Sequence, residues 1–218
     1  MDMLTITFDR YCALADLAKT LGHAHRLILL EHIAQGERSV ERLAELAGLS
    51  IPNTSQHLQQ LRRAGLVQTR RDGKHVLYRL GDGPVIGVLA ELRRFSDFAQ
   101  GARNQLITDT LSRPDSVEAV SRDELLRLIE VENVTLIDVR PREEYDLGHL
   151  PGAQSIPVED LAGRLGELTP GREVVAYCRG PYCILSVQAI EFLKTQGIAA
   201  KRFAGGVPEW KAAGLPWH

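Results

Sequence analysis

The chain has 218 residues, enough for two domains of about 100 residues each, which is close to the usual domain size. Hydrophobic residues make up 44% and charged residues 25%, ordinary for a soluble globular protein, and a formal net charge of -2 excludes a strongly basic or strongly acidic whole. No apolar run approaches the roughly 20 residues that cross a bilayer, and residues 1–10 lack the basic start, apolar stretch and cleavage site of a signal peptide, so no membrane partner and a cytoplasmic location are expected.

The charge is unevenly spread. Residues 1–112 carry 14 basic and 12 acidic side chains, whereas residues 113–218 carry 12 and 16. Within residues 50–79 six basic groups (Arg62, Arg63, Arg70, Arg71, Lys74, Arg79) face one acid, Asp72, a local excess that suits a nucleic acid. The three cysteines, Cys12, Cys178 and Cys183, cannot all pair within one chain, and reactive or buried thiols are expected in place of a disulfide framework.

In chain order, Leu14, Leu17, Ala18 and Leu21 follow helical spacing from Tyr11, and a second helix is predicted from about Ala24 through Leu27, Leu30 and Ile33 to Gly36. Ser39 reads as the N-cap of a third helix that ends at Gly48, and Ser50 as the cap of a fourth. The intervening Gly48-Leu49-Ser50 is the short, glycine-containing connection of a helix-turn-helix. Two β-prone stretches, 66–71 and 74–80, flank Asp72-Gly73 and predict a hairpin, and a basic hairpin after a helix-turn-helix is a wing. Residues 84–111 return to a helical pattern that Ser112-Arg113-Pro114-Asp115-Ser116 breaks, which puts a domain boundary between 112 and 113. Beyond it come a capping box at Ser121 and Glu124, an apolar strand from Val134 to Val139, a second from Glu173 to Tyr177, and a helix from about Ser186 to Gln196. Strands alternating with helices predict an α/β domain with a mainly parallel sheet.

On the fourth helix Thr54, Leu58 and Leu61 share one face, leaving Asn53, Ser55, Gln56, Gln59, Gln60 and Arg63 as candidate DNA contacts, joined by Arg70, Arg71 and Lys74 of the wing. Side-chain amides donate and accept in one plane, as an adenine edge requires, while wing cations suit phosphates. Residues 15–80, with Leu46-Ala47-Gly48-Leu49-Ser50, His57-Leu58, Leu61, Ala64-Gly65-Leu66-Val67 and Val76-Leu77-Tyr78-Arg79-Leu80, resemble the arsenic-repressor (ArsR) family of dimeric regulators. The resemblance implies a helix in the major groove of a double-stranded operator. It also implies a homodimer built from residues 10–21 and 84–108. Two family metal sites find no counterpart, because Glu37-Arg38-Ser39-Val40-Glu41 has no cysteine and residues 84–108 no histidine. His23, His25 and His32 lie close together in the sequence, but the first pair, two apart, would lie on different faces of a helix, so no metal ligand set is expected; no cofactor is expected either.

Residues 117–217 resemble a rhodanese domain through Asp138-Val139-Arg140, Glu144-Tyr145, Gly148-His149-Leu150-Pro151-Gly152-Ala153, the strand ending at Cys178, and Gly205-Gly206 with Trp210. The resemblance implies sulfurtransfer of the thiosulfate sulfurtransferase type, with Cys178 taking sulfane sulfur from a small donor such as thiosulfate or polysulfide. A thiol between a strand and a helix N-terminus faces unpaired N–H groups and the positive end of the helix dipole, both of which favour thiolate. Arg179, Gly180, Pro181, Tyr182 and Cys183 form the active-site loop, with Arg179 offering a cation to an anionic donor. Two roles are open to Cys183: resolving the Cys178 persulfide, or packing beneath the loop. His149 reads as part of a structural turn, and Asp138 with Arg140 as a supporting hydrogen-bonded pair.

The expectation is thus a multidomain protein: a mainly α winged helix-turn-helix at 1–112 and an α/β rhodanese-like domain at 113–218. Its expected function is that of a transcriptional regulator, a repressor, that carries or senses sulfane sulfur at Cys178. Two alternatives are an active sulfurtransferase whose DNA-binding domain is uncoupled from sulfur chemistry, and a soft-metal or arsenite thiol sensor.

Overall fold

Short polar caps and left-handed glycines cut the N-terminal half of the chain into helices, as seen in a computed structural model that describes residues 3–73, 75–107, 119–131, 134–181 and 183–218, with only the backbone for 3–7, 97 and 100–107. The chain divides into two units, the first ending at Val85 and the second beginning at Ile86. The boundary expected at 112–113 lies outside the described residues.

The first unit runs α1 (Met3–Leu21), α2 (Ala24–Ala34), β1 (Arg38–Ser39), α3 (Val40–Ala47), α4 (Ile51–Arg63), β2 (Val67–Asp72) and β3 (His75–Leu80). Ser39 and Ser50 cap α3 and α4, each hydroxyl accepting the N–H three residues on, from Arg42 and from Asn53. Gly48 ends α3 at φ 64°, where a residue with a Cβ is strained, and that turn aims α4 away from α3. Leu29, Leu30, Ile33, Leu43, Leu58 and Leu61 form the buried core beneath the helices, each side chain contributing about 1.5–3 kcal/mol against the entropy of ordering.

The wing sheet has three strands in the order β1-β3-β2, all antiparallel. Pairing of β2 with β3 extends to Asp72 and His75, so the turn begins at Gly73, one place later than Asp72-Gly73. Gly73 takes the positive φ of 58° that the turn needs, which leaves Asp72 extended and paired.

The second unit begins in α5 (Val85–Ile107) and continues through β4 (Ala119–Val120), α6 (Arg122–Glu130), β5 (Val134–Asp138), α7 (Arg142–Asp146), β6 (Gln154–Ser155), β7 (Glu173–Cys178), α8 (Ile184–Thr195), β8 (Ala200–Gly206) and α9 (Val207–Ala212). Two 3-10 turns, Leu161–Gly163 and Leu165–Glu167, precede β7. The sheet order is β4-β8-β7-β5-β6, and every pair is parallel. Alternate residues of the central strands enter opposite cores. Ile137, Val174, Ala176 and Cys178 pack with Ala189, Ile190 and Leu193 of α8, while Leu136, Val175 and Tyr177 pack with Leu125 of α6 and Trp210 of α9. Burial on both faces is why these strands read as continuous apolar runs. Cys178 therefore sits at the carboxyl end of a central parallel strand, the place where open α/β sheets bind ligands.

Candidate functional site

The first candidate surface is the polar face of α4. Thr54, Leu58 and Leu61 are buried, and Asn53, Gln56, Gln59 and Arg63 are exposed, with Ser55 and Gln60 half-buried. Gln60 does not stand free: its carbonyl oxygen accepts a hydrogen bond from the Arg26 guanidinium, whose other nitrogen donates to the Lys19 carbonyl at 3.0 Å. On the wing, Arg70 pairs with Glu37 at 2.7 Å, and Arg79 with Asp82 at 2.9 Å and with Gln68. Arg71 is exposed on β2, and Lys74 lies outside the described residues. Such exposed pairs stabilise little and open readily, so Arg70 and Arg79 remain able to exchange a carboxylate for a phosphate.

The second candidate site is the loop after β7. Cys178 is 1% exposed, and its sulfur is joined to that of Cys183, with Cα atoms 6.2 Å apart, inside the usual range for a bridge. This bridge corrects the expectation of unpaired thiols, and it is the bond that a resolving role for Cys183 would form. Cys183 is the N-cap residue of α8; its N–H donates to Gly180 at 3.1 Å, and its carbonyl accepts from the Ser186 hydroxyl at 3.3 Å. Both cysteines therefore lie at the positive end of a 12-residue helix dipole, which favours thiolate once the bridge is opened.

The surrounding charges hold the loop. Arg179 is engaged by the buried Glu144 of α7 in a bidentate pair at 2.8 and 3.0 Å. The Pro181 carbonyl accepts from Arg202 of β8 at 2.8 Å, and burial lowers the pKa of that guanidinium. Tyr182 lies outside the described residues. On the facing strand Gly206 is in register with Cys178, and its N–H donates to Glu209 at 3.1 Å; Glu209 also accepts from Arg93 of α5 at 2.8 Å. The sequence showed Glu144 only as part of the rhodanese resemblance and gave no sign of Arg202 or Glu209, since each is an isolated charge whose partner is far away in the chain.

Behind the loop, Asp138 and Arg140 form a fully buried ion pair at 2.6 Å, and Arg140 also donates to the Gly148 carbonyl at 2.8 Å. Tyr177 has its pKa raised, by burial first and then by the Asp138 charge, and its hydroxyl accepts from the Leu150 N–H at 3.1 Å. The segment carrying His149 is thereby fixed by structural bonds. Its ring stacks on Tyr145 at 3.7 Å between centroids, and its Nδ1 meets the Tyr145 carbonyl.

A mainly helical unit with a three-stranded wing and a parallel sheet presenting a cysteine loop define a winged helix-turn-helix regulator joined to a rhodanese-like domain. Residues 24–69 match the bacterial regulatory protein, arsR family, and residues 121–213 match the rhodanese-like domain. Over 212 residues, 95% of this chain and 93% of the relative, the sequence is 42% identical to the HTH-type transcriptional regulator Rv0324 of Mycobacterium tuberculosis. The chain belongs to this family of transcriptional regulators that unite an ArsR-type domain with a rhodanese domain. A stretch of 91 residues (41% of this chain, 83% of the relative) is 35% identical to a sulfurtransferase of Allochromatium vinosum. A solved winged helix-turn-helix domain of Mb0332 from Mycobacterium bovis is similar at 33% identity with a TM-score of 0.40, covering 44% of this chain and 87% of that one. Among the described residues, no helix is long and apolar enough to cross a membrane.

Proposed function

We propose that the protein is a homodimeric, operator-binding repressor whose affinity for DNA is set by the sulfur state of Cys178. The observation that carries this reading is the union of Cys178 and Cys183 at the strand-to-helix junction of a rhodanese loop, in a chain that also holds a winged helix-turn-helix. A bridge that thiol–disulfide exchange can open and reform is suited to switching. The chemistry closes without a further reagent beyond donor and thiol. Two equivalents of a small thiol reduce the bridge and leave as their own disulfide. The Cys178 thiolate then attacks the outer sulfur of thiosulfate, and sulfite leaves, giving a Cys178 persulfide. Attack of the Cys183 thiolate on Cys178 Sγ reforms the bridge and expels hydrosulfide.

Within the second unit, named bonds tie the cysteine loop to α5. Gly206, opposite Cys178, holds Glu209, and Glu209 holds Arg93 on α5, the helix that follows the wing in the chain. Exposed apolar residues on α1 (Phe8, Tyr11, Leu14) and on α5 (Leu92, Phe95, Phe98) supply the surfaces that a second copy would cover.

The decisive experiment measures operator affinity of the reduced full chain before and after polysulfide, with mass spectrometry of each cysteine. The expected result is added sulfur on Cys178, a change of about tenfold or more in affinity, and loss of both in Cys178→Ser. Cys183→Ser is expected to keep a longer-lived persulfide. Sulfur transfer to cyanide with unchanged operator affinity would overturn the coupling and leave an uncoupled sulfurtransferase.

A further inference from the structure

His23 and His25 come together with His57, although a helical spacing of two would part the first pair. His23 is not helical. It caps α2 with extended backbone (φ -145°, ψ 122°), and its Nδ1 accepts the His25 N–H at 3.3 Å, which leaves its Nε2 for another partner. His57 arrives from α4 through the packing of α4 against α2. Ring centroids lie 4.5 Å apart for His23 and His57, 5.3 Å for His23 and His25, and 5.7 Å for His25 and His57. One ring nitrogen from each lies within 4.8 Å of the other two.

Three imidazoles crowded together are a poor arrangement for stability alone. Protonation would set like charges against one another, and Arg26 adds a fourth cation beside them. A second observation is independent of titration: His57 Nδ1 is buried with no hydrogen-bond partner among the described residues. A buried ring nitrogen left unsatisfied is destabilising, and ligation through that nitrogen would remove the penalty.

We propose that His23, His25 and His57 form a binding site for a borderline divalent transition-metal ion, with Zn2+ the reference case. An all-imidazole set suits Zn2+, Ni2+ or Cu2+ and excludes Mg2+ and Ca2+, which require oxygen ligands. Three ring nitrogens within 4.8 Å of one another can converge on one ion with zinc–nitrogen bonds of about 2.1 Å. Three ligands leave a fourth position for water. The site belongs to the first unit and the sulfur loop to the second, and the site does not depend on that loop's chemistry.

The location gives binding a consequence. His57 neighbours Gln56 in the chain, and Arg26, next to His25, holds Gln60 of α4. An added divalent charge beside Arg26 disfavours that guanidinium and fastens the start of α2 to α4, the helix proposed to read bases.

The test is calorimetric titration of the full chain with Zn2+, in a Cys178→Ser/Cys183→Ser background that removes the paired thiols, followed by Co2+ absorption spectra. One Zn2+ per chain is expected, with Co2+ bands of nitrogen and oxygen ligation and no thiolate charge-transfer band. His57→Gln is expected to lower affinity about tenfold or more, on the scale of losing a ligand or its support. His23→Asn, which retains an oxygen acceptor for the α2 cap, should do the same, while His75→Ala should match the parent. Circular dichroism of each variant checks that the helices persist. Absence of stoichiometric Zn2+ binding in the parent, or equal affinity in parent and His23→Asn, would overturn the site.

Discussion

A Cβ added at Gly206 would lie 2.8 Å from the carbonyl oxygen of Cys178 and closer still to that of Arg179, contacts that real side chains do not make. The close approach has a cause in the sheet. Gly206 pairs with Cys178 after a register shift between Ala176 and Cys178, so the end of β8 lies against the backbone that starts the cysteine loop. Because both obstructing atoms belong to the backbone, a side chain cannot be accommodated by rotamer change, and the loop itself must move. Gly206→Ala is therefore expected to destabilise the C-terminal unit by about 1–3 kcal/mol, the range for overpacking, and to slow reaction of Cys178 with a thiol reagent after reduction. Urea denaturation and a thiol-modification time course read the two effects. An alanine variant with wild-type stability and reactivity would show that the backbone separates more easily than these distances imply. Glycine at this position was visible in the sequence; its reason was not, since the obstructing carbonyls are 27 and 28 places away.

At the scale of elements, what could be read in the sequence follows a physical division between local and distant determinants. The caps at Ser39, Ser50 and Ser121 act within three residues, and each was legible before its helix was seen. β5 and β7 were legible because burial on both faces leaves an apolar run. By contrast β8, with Lys201, Arg202 and two glycines, has no strand alternation of its own; it exists because β7 and β4 pair with it, Lys201 meets Glu173, and Arg202 caps the Pro181 carbonyl. β4 and β6 span two residues each, too few for any periodicity. The hairpin was legible but began one residue late, since Asp72 proved extended and paired. The two elements proposed to meet DNA separate by chemistry. Gln56 on α4 offers an exposed amide, so Gln56→Ala is expected to cost about 1–3 kcal/mol of discrimination at one base pair while leaving random DNA unaffected. Arg71 on β2 offers an exposed charge, so Arg71→Ala should weaken all duplexes alike and reduce the salt slope by about one unit. Binding titrations at several salt concentrations on operator and random DNA distinguish them; equal losses on both duplexes for Gln56→Ala would remove it from base reading.

For the whole molecule, the unanswered feature of the surface is its exposed aromatic residues. Phe95 and Phe98 of α5 are 70% and 73% exposed, their ring centroids 6.5 Å apart, and Phe8, Tyr11 and Leu14 of α1 are likewise exposed. Scattered apolar residues on a surface need no explanation, but several large ones along each of two helices do. A membrane is a poor occupant for α5, because Arg94 and Glu91 on the same stretch form an exposed ion pair at 2.7 Å with no excess of basic charge. A second copy of the chain fits better, since a two-fold operator requires two recognition helices and a self-complementary surface supplies them with one sequence. This reading makes the oligomer and the DNA affinity fall together. Phe95→Glu with Phe98→Glu places two charges where two aromatic anchors are proposed to be desolvated, and the dimer dissociation constant is expected to rise about a hundredfold or more. Sedimentation velocity of the double variant should then show a monomer at concentrations where the parent is a dimer, with unchanged secondary structure by circular dichroism. Operator affinity should fall with it, because each monomer retains only one half-site contact. A double variant that sediments and binds operator like the parent would place the dimer surface elsewhere and return Phe95 and Phe98 to the list of exposed residues without a partner.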